Sequence, residues 1–267
     1  MYVSTRCLFP NFSLVWLSGM NDAKLSPTTL FPKLTPELAK ELGVENGVEG
    51  SMSAFLLEAE GKKALFDTGL NESVSRGILQ RLEELKIKTD EIDYIFITHF
   101  HGDHIGGLLD SKDNIVFKNA KIYVAKEEYD GWINKMPSDK NALQVKTMRI
   151  CENQVVQFNF EDTLPLGVKP LQAFGHTPGH TVYRKDDLLI IGDLIHGEKI
   201  QIKHPEICAT YDQDESKSIE ARKNILKYAE ENKLLVAGMH LQYSNSSMYR
   251  EYFKNKEIRK GNYNYIN

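Results

Sequence analysis

Short apolar runs recur along this chain, each ended by a polar or glycine-bearing break. They fall at 12–17, 52–57, 64–66, 94–98, 114–117, 121–125, 155–158, 168–174, 181–184, 188–191 and 234–237. Runs of this length between turn signals read as buried strands. Helical spacing takes over in three places. Val74, Ile78, Leu82 and Leu85 form one face over 72–86, residues 126–149 form a second helical stretch broken by Pro137, and Ala221, Ile225 and Ala229 mark an amphipathic helix over 215–232. A shorter helix sits inside the 21–50 segment, with Thr35 as N-cap, Pro36 in the first turn and Gly43 as the stop. Mixed strands with interleaved helices predict an α/β chain. Two sheets packed face to face with helices outside, an αββα sandwich, fit this order.

No low-complexity segment or long linker divides the chain, so 1–267 reads as a single domain of 267 residues, ample for a core. Within it, 21–50 reads as a surface helix or as a lid, substrate wall or interface, because Leu30, Phe31 and Leu34 add exposed apolar bulk.

Composition mainly excludes. With 41% hydrophobic and 26% charged residues the chain is of ordinary globular type. A net charge of -4, without a basic groove, gives no reason to expect nucleic acid or an acidic membrane as partner. The basic 250–260 stretch, diluted by tyrosines and a glutamate, reads as solvated surface. No apolar run approaches the roughly 20 residues that span a bilayer. Cys7, Cys151 and Cys208 are odd in number and far apart, which argues against a disulfide framework. The default location is cytoplasmic; a removed leader would place the chain in the periplasm or outside.

The chemistry lies at the strand ends. His99-Phe100-His101-Gly102-Asp103-His104 follows the 94–98 run directly. Three imidazoles and a carboxylate gain nothing from burial unless they converge on a cation, and they are ligands that zinc and related metals accept. The same grammar recurs at Asp67, at His180, at Asp193 behind four aliphatic residues, and at His240. Asp67 either forms an Asx-turn before Gly69 or serves the site. In His176-Thr177-Pro178-Gly179-His180 a tight turn aims His180 at the rim; His176 reads as a turn-stabilising hydrogen bonder, with a rim position as the alternative. His204, before Pro205, reads as structural. One metal would take His99, His101 and His180, a second Asp103, His104 and His240, and a bridging Asp193 would bring each to four ligands. Two such cations would supply hydroxide at neutral pH and clamp the substrate oxygen.

The chain resembles the metallo-β-lactamase superfamily. Asp67 after its strand, His99-x-His101-x-Asp103-His104, Gly179-His180, Gly192-Asp193 and Gly238-Met239-His240 fall in that superfamily's order. The resemblance implies the αββα fold, a dinuclear site at one edge, and Asp67 as a residue holding that site from behind. A finer similarity is to the branch of methyl parathion hydrolase and its lactonase- and esterase-like relatives, carried by Gly175-His176-Thr177-Pro178-Gly179-His180-Thr181, Gly192-Asp193-Leu194-Ile195-His196, Asp212-x-Asp214, Ala221-Arg222 and Ala237-Gly238-Met239-His240-Leu241. Homoserine-lactone lactonases usually carry a tyrosine three residues after the bridging aspartate, where this chain has His196. The parathion-hydrolase branch usually follows its last ligand with Pro-Phe-Pro, where this chain has Gln242-Tyr243-Ser244.

The expected activity is therefore a dinuclear metal-dependent hydrolase. Hydroxide bridging two divalent ions, zinc first and manganese, iron or cobalt otherwise, attacks a small-molecule ester, lactone or phosphotriester. Asp103 and Asp193 act at the reacting centre as ligands, Asp103 with a proton-handling role besides; His196 orients substrate, and Phe31 or Tyr243 lines the pocket. The branch often forms homodimers, and 30–34 offers a contact for one. Glyoxalase-II-like thiolester hydrolysis keeps the fold and changes the substrate. A non-catalytic, metal-stabilised binding module is the alternative of another class; the absence of cysteine from the cluster argues for an open site instead.

Overall fold

The structure is a computed structural model and describes residues 5–20, 24–134 and 142–241. Pro137, Tyr243 and the 250–260 stretch lie outside the described residues. Strands β1 (Thr5–Leu8), β2 (Phe12–Ser18), β3 (Lys24–Ser26), β4 (Val48–Gly50), β5 (Ser53–Ala59), β6 (Lys62–Phe66), β7 (Tyr94–Phe96), β8 (Lys121–Ala125) and β9 (Val155–Phe158) come first. β10 (Lys169–Gln172), β11 (Thr181–Lys185), β12 (Leu188–Ile190) and β13 (Leu235–Ala237) follow. The helices are α1 (Pro36–Glu41), α2 (Gly77–Glu84), α3 (Gly102–Ile105), α4 (Lys126–Tyr129), α5 (Leu143–Ile150), α6 (Glu198–Gln201) and α7 (Glu215–Glu231).

One sheet has the order β1-β2-β5-β6-β7-β8-β9 and the other β10-β11-β12-β13; β3 and β4 pair separately. The first sheet is antiparallel through β6 and parallel from β6 to β9. In the second, only β12 and β13 run parallel. Strand β2 shows why the central runs carry few polar residues. Leu14 and Trp16 pack between the sheets with Phe55, Phe66, Tyr183 and Ile190, while Val15 and Leu17 pack outward with Ile78, Leu82 and Met148. Both faces of the strand are covered, so alternation gives way to a continuous apolar run. On the second sheet's outer face, Val182, Leu189 and Val236 meet Ile225 and Ala229 of α7. The αββα order of layers follows. Fully burying a side chain such as Leu56 or Leu57 contributes roughly 1.5–3 kcal/mol.

Two bonds stitch the sheets together beside the histidine cluster. The Tyr183 hydroxyl donates to the Ile97 carbonyl at 2.6 Å, and Thr181 N–H donates to the Thr98 carbonyl at 2.9 Å. Thus β7 and β11 deliver their C- and N-terminal ends to one rim.

Three sequence expectations change. The 12–17 run is the second strand rather than the first. Residues 114–117 form no strand, only a single bridge between Leu109 and Ile115. There the Asp110 carboxylate accepts from the Lys112 and Asn114 N–H groups, both at 2.8 Å, and this local turn competes with sheet pairing. Phe31 is buried rather than exposed, packed with Val48 and Ile200. The helix signals at 35–43 fold as read, with the Thr35 side chain accepting from Leu38 N–H at 3.2 Å and Gly43 at φ 65°. Among the described residues no helix is long and apolar enough to cross a membrane.

Candidate metal centre

Each polar side chain at the rim is placed by a strand end. After β6, Asp67 takes φ 60° and turns its buried carboxylate under the start of the histidine loop. Oδ1 accepts from Thr98 N–H at 2.8 Å, and Oδ2 accepts from the Thr98 hydroxyl at 2.7 Å and from His104 Nδ1 at 2.6 Å. Because Asp67 takes the Thr98 hydroxyl proton, His99 Nδ1 donates to that oxygen, 3.0 Å away. With Nδ1 engaged from behind, both rings present Nε2 to the rim. His176 Nδ1 donates to Asp212 at 3.0 Å, and His240 Nδ1 donates to the Ser51 carbonyl at 2.8 Å. Four imidazoles are thus oriented from behind, as ligating histidines are.

Two donor sets result. In the first, His99 Nε2, His101 Nδ1 and His176 Nε2 form a triangle with sides of 3.0, 3.0 and 3.2 Å. Each nitrogen either carries a proton or does not, so at least one side pairs like with like. No tautomer satisfies the triangle, but a cation inside it would. Asp193 Oδ2 completes this set, 3.3 Å from His176 and 3.6 Å from His99. In the second set, Asp103, His104 and His240 converge. Asp193 reaches it too, Oδ1 lying 3.0 Å from His104 Nε2 and Oδ2 3.0 Å from His240 Nε2. His104 Nε2 and Asp193 Oδ1 are buried without a hydrogen-bond partner among the described residues. The two lie 3.0 Å apart without the geometry of a hydrogen bond, an arrangement that a cation held by both would relieve. The residues therefore fit divalent cations, with Asp193 shared between the sets.

The electrostatics match. Burial pushes the His99 and His101 pKa values down, that of His101 to about 4, so both are neutral ligands. Burial opposes the charge on Asp193, but His104, His240 and His99 outweigh it and hold the carboxyl well below its ordinary range. Burial likewise opposes a proton on His240, yet Asp193 and Asp103 hold its pKa up at about 9. The carboxylates thus draw positive charge to the rim.

His180 does not join either set. Its Nδ1 donates to the Ala173 carbonyl at 3.1 Å and its Nε2 accepts the Asp193 N–H at 3.0 Å, so both nitrogens are engaged inside the protein. Burial keeps it neutral, with a pKa pushed down to about 3. Its role is to hold the Asp193 backbone, and His176 takes the ligand position expected of His180. Gly192 makes this possible: it sits at φ 53°, and a Cβ there would lie 2.6 Å from His180 Nε2.

Other expected residues fall at the rim. Asp103 and His196 line the cavity, and Asp67 lies beneath it. His196 Nε2 is 3.2 Å from Asp193 Oδ2 and its ring stacks on His240 at 5.0 Å. Sequence reasoning gave no role to Asp212, whose second oxygen accepts from Arg222 Nη2 at 2.9 Å. A signal existed: Arg222 shares the buried stripe of α7 with Ser218, Ile225 and Ala229, and a buried guanidinium requires a partner.

Above the sets lies a cavity of about 450 Å³. His101, Asp103, Asp193, His196 and His240 form its floor, while Met20, Leu30, Phe31, Met52, Leu70 and Tyr211 form apolar walls. A family model described as "Metallo-beta-lactamase superfamily" matches residues 47–238. The chain belongs to the metallo-β-lactamase superfamily. Within that superfamily it is 30% identical over 153 residues to a Beta-lactamase-like protein 2 homolog of Caenorhabditis elegans, covering 55% of this chain and 45% of that one. It is 27% identical over 148 residues to an N-acyl homoserine lactonase of Bacillus thuringiensis, covering 47% and 54%. The chain thus spans about half the length of these curated relatives. Among solved structures, the dizinc quorum-quenching lactonase AidC superposes with a TM-score of 0.81 at 24% identity, over 90% of this chain and 91% of that one. The hydrolase AbOPH superposes with a TM-score of 0.77 at 24% identity, over 91% and 92%. These two likenesses are of fold.

Proposed function

We propose that this chain is a metal-dependent hydrolase of small neutral esters, with lactones and aryl esters as the first substrate class. One observation carries the reading: two imidazole–carboxylate sets share Asp193 at the floor of an apolar-walled cavity. His99, His101, His176 and Asp193 would hold one divalent ion, and Asp103, His104, His240 and Asp193 a second; the donor set suits zinc, and also manganese, iron or cobalt. When bound, such ions supply Lewis acidity and lower the pKa of water at the site. The chain's own residues do the rest. Asp193 fixes the separation of the two sets, and Asp103 at the cavity floor offers a carboxylate to take the proton of an attacking water. His196 and Tyr211 flank the carbonyl end of the substrate. Leu30, Phe31, Met52 and Leu70 hold its apolar part and exclude water. Apart from the histidines, Asp103 and Asp193, the described lining residues are uncharged, which suits a neutral substrate. The likeness to homoserine lactonases points the same way. The phosphotriester activity suggested by the resemblance to methyl parathion hydrolase would use the same floor.

The test is metal content together with turnover on a panel of homoserine lactones, aryl esters, phosphotriesters and thiolesters. Two metals per chain and ester or lactone hydrolysis lost in His101→Ala are expected. One tightly held metal with no turnover on any of the panel would instead indicate a binding module.

A further inference from the structure

Glu128 is fully buried, carries a carboxylate, and has no place in the reaction just described. It lies in α4, and both of its oxygens reach loops that carry ligand-type histidines. Oε1 accepts from Phe100 N–H at 2.8 Å, the peptide between His99 and His101, and from the Trp132 indole N–H at 2.8 Å. Oε2 accepts from the Thr177 hydroxyl at 2.8 Å and from Gly179 N–H at 2.7 Å, in the turn that carries His176. Burial raises its pKa, and the four donors work against that rise. All four groups donate, which a carboxylate satisfies and a carboxylic acid or amide does not.

The surrounding backbone is built around this residue. A Cβ on Gly179 would lie 2.1 Å from Glu128 N, so the turn rests directly on α4. The chain then leaves α4 through a π-helical turn, Asp130–Asn134. There Gly131 lets the backbone approach Pro178; a Cβ at that position would lie 2.5 Å from the proline Cβ. The same turn sets the Trp132 ring edge-on to His101, with centroids 5.8 Å apart. A π-turn is an uncommon insertion that proteins tend to keep at functional sites.

We infer that Glu128 is a positioning residue that clamps the His99–His101 loop to the His176 turn and so sets the geometry of the first donor set alone. Glu128 reaches neither support of the second set: Ser51 stands behind His240, and Asp67, which also steadies His99 through Thr98, stands behind His104. The inference rests on the proposed two-metal reading.

The experiment is a zinc titration of the chelator-treated full chain against a chromophoric competitor. Imidazole signals of ¹⁵N-histidine-labelled protein identify the set that fills at each step. In Glu128→Gln the amide nitrogen must face one pair of donors, so the clamp opens on that side. Zinc affinity of the His99–His101–His176 set should fall about 10–100-fold, the usual cost of losing an outer partner of a ligand. The set at Asp103, His104 and His240 should keep its wild-type affinity, whereas Asp67→Asn should weaken both sets, because Asp67 holds His104 directly and His99 through Thr98. Thr177→Val should weaken the first set in the same direction by less, and Thr177→Ser should restore it; this pair carries the test if Glu128→Gln does not fold. Equal weakening of both sets by Glu128→Gln, no weakening, or a Thr177→Ser as defective as Thr177→Val overturns the clamp. If the wild type itself binds fewer than two zinc ions, the two-metal reading falls first, and the clamp with it.

Discussion

His176 and His180 are four residues apart and are separated by opposite consequences. His180→Ala removes a ring that accepts the buried Asp193 N–H and donates to the Ala173 carbonyl. Leaving one buried donor unpaired costs about 1–3 kcal/mol, and the vacated ring space adds to it. The expected loss is about 2–4 kcal/mol, or some 5–15 °C in melting temperature at the roughly 2–4 °C per kcal/mol typical of larger single domains. His176→Ala also vacates a buried ring and takes a donor from Asp212 Oδ1, but it breaks up the unsatisfiable nitrogen triangle and leaves Asp212 paired with Arg222, so the metal-free protein should lose less stability than His180→Ala. Its zinc content should instead drop, since a nitrogen of the first set is gone. The assays are scanning calorimetry on chelator-treated protein and elemental analysis after zinc loading. A His180→Ala protein that melts like wild type but holds less zinc, beside a His176→Ala protein with full zinc, would refute this reading of the turn.

Three further outcomes are expected. Gly192→Ala drives a Cβ toward His180 Nε2 at a left-handed backbone position, so it should lower stability by more than about 1 kcal/mol and reduce zinc uptake, both read in the same assays. Met52→Trp, which fills the cavity from its apolar wall, should raise KM for long-chain esters with little change for short ones, as steady-state kinetics on an acyl series will show. Burial pushes the Cys151 thiol up to about 11, above its ordinary value near 9. The folded state therefore favours the thiol: that contribution is complete below pH 9 and is lost as the pH rises toward about 11, by an amount on the order of 2–3 kcal/mol. In denaturant melts, Cys151→Ala should lack this part of the alkaline decline.

Much of the site was legible because a polar cluster behind an apolar strand has few physical explanations. His99, His101, Asp103, His104, Asp193 and His240 could be read as converging without any knowledge of the sheets. The turn was harder. Spacing places His176 and His180 in one loop, but which ring faces the rim is decided by the Ala173 carbonyl and the Asp193 N–H, two backbone groups that no side-chain pattern advertises. The role of Asp212, a residue marked only by a resemblance, and Glu128 altogether were illegible for a related reason. An acidic residue in a polar stretch looks solvated, and only the folded chain reveals that its neighbours all donate. Residues 114–117 show the converse error, where an apolar run was claimed locally by the Asp110 carboxylate instead of by a sheet.

Ser51 has a consequence for how the protein is made. Its N–H donates to the His240 carbonyl, its own carbonyl takes the His240 ring proton, and its hydroxyl reaches the Met239 and Leu241 carbonyls. The first donor set is complete in the chain once residue 193 has been synthesised, whereas the second needs residue 240 to return to a hook laid down near the start. The last donor to be synthesised is therefore the one that Ser51 holds, and the second of the two proposed ion positions is the last to gain its full set of ligands.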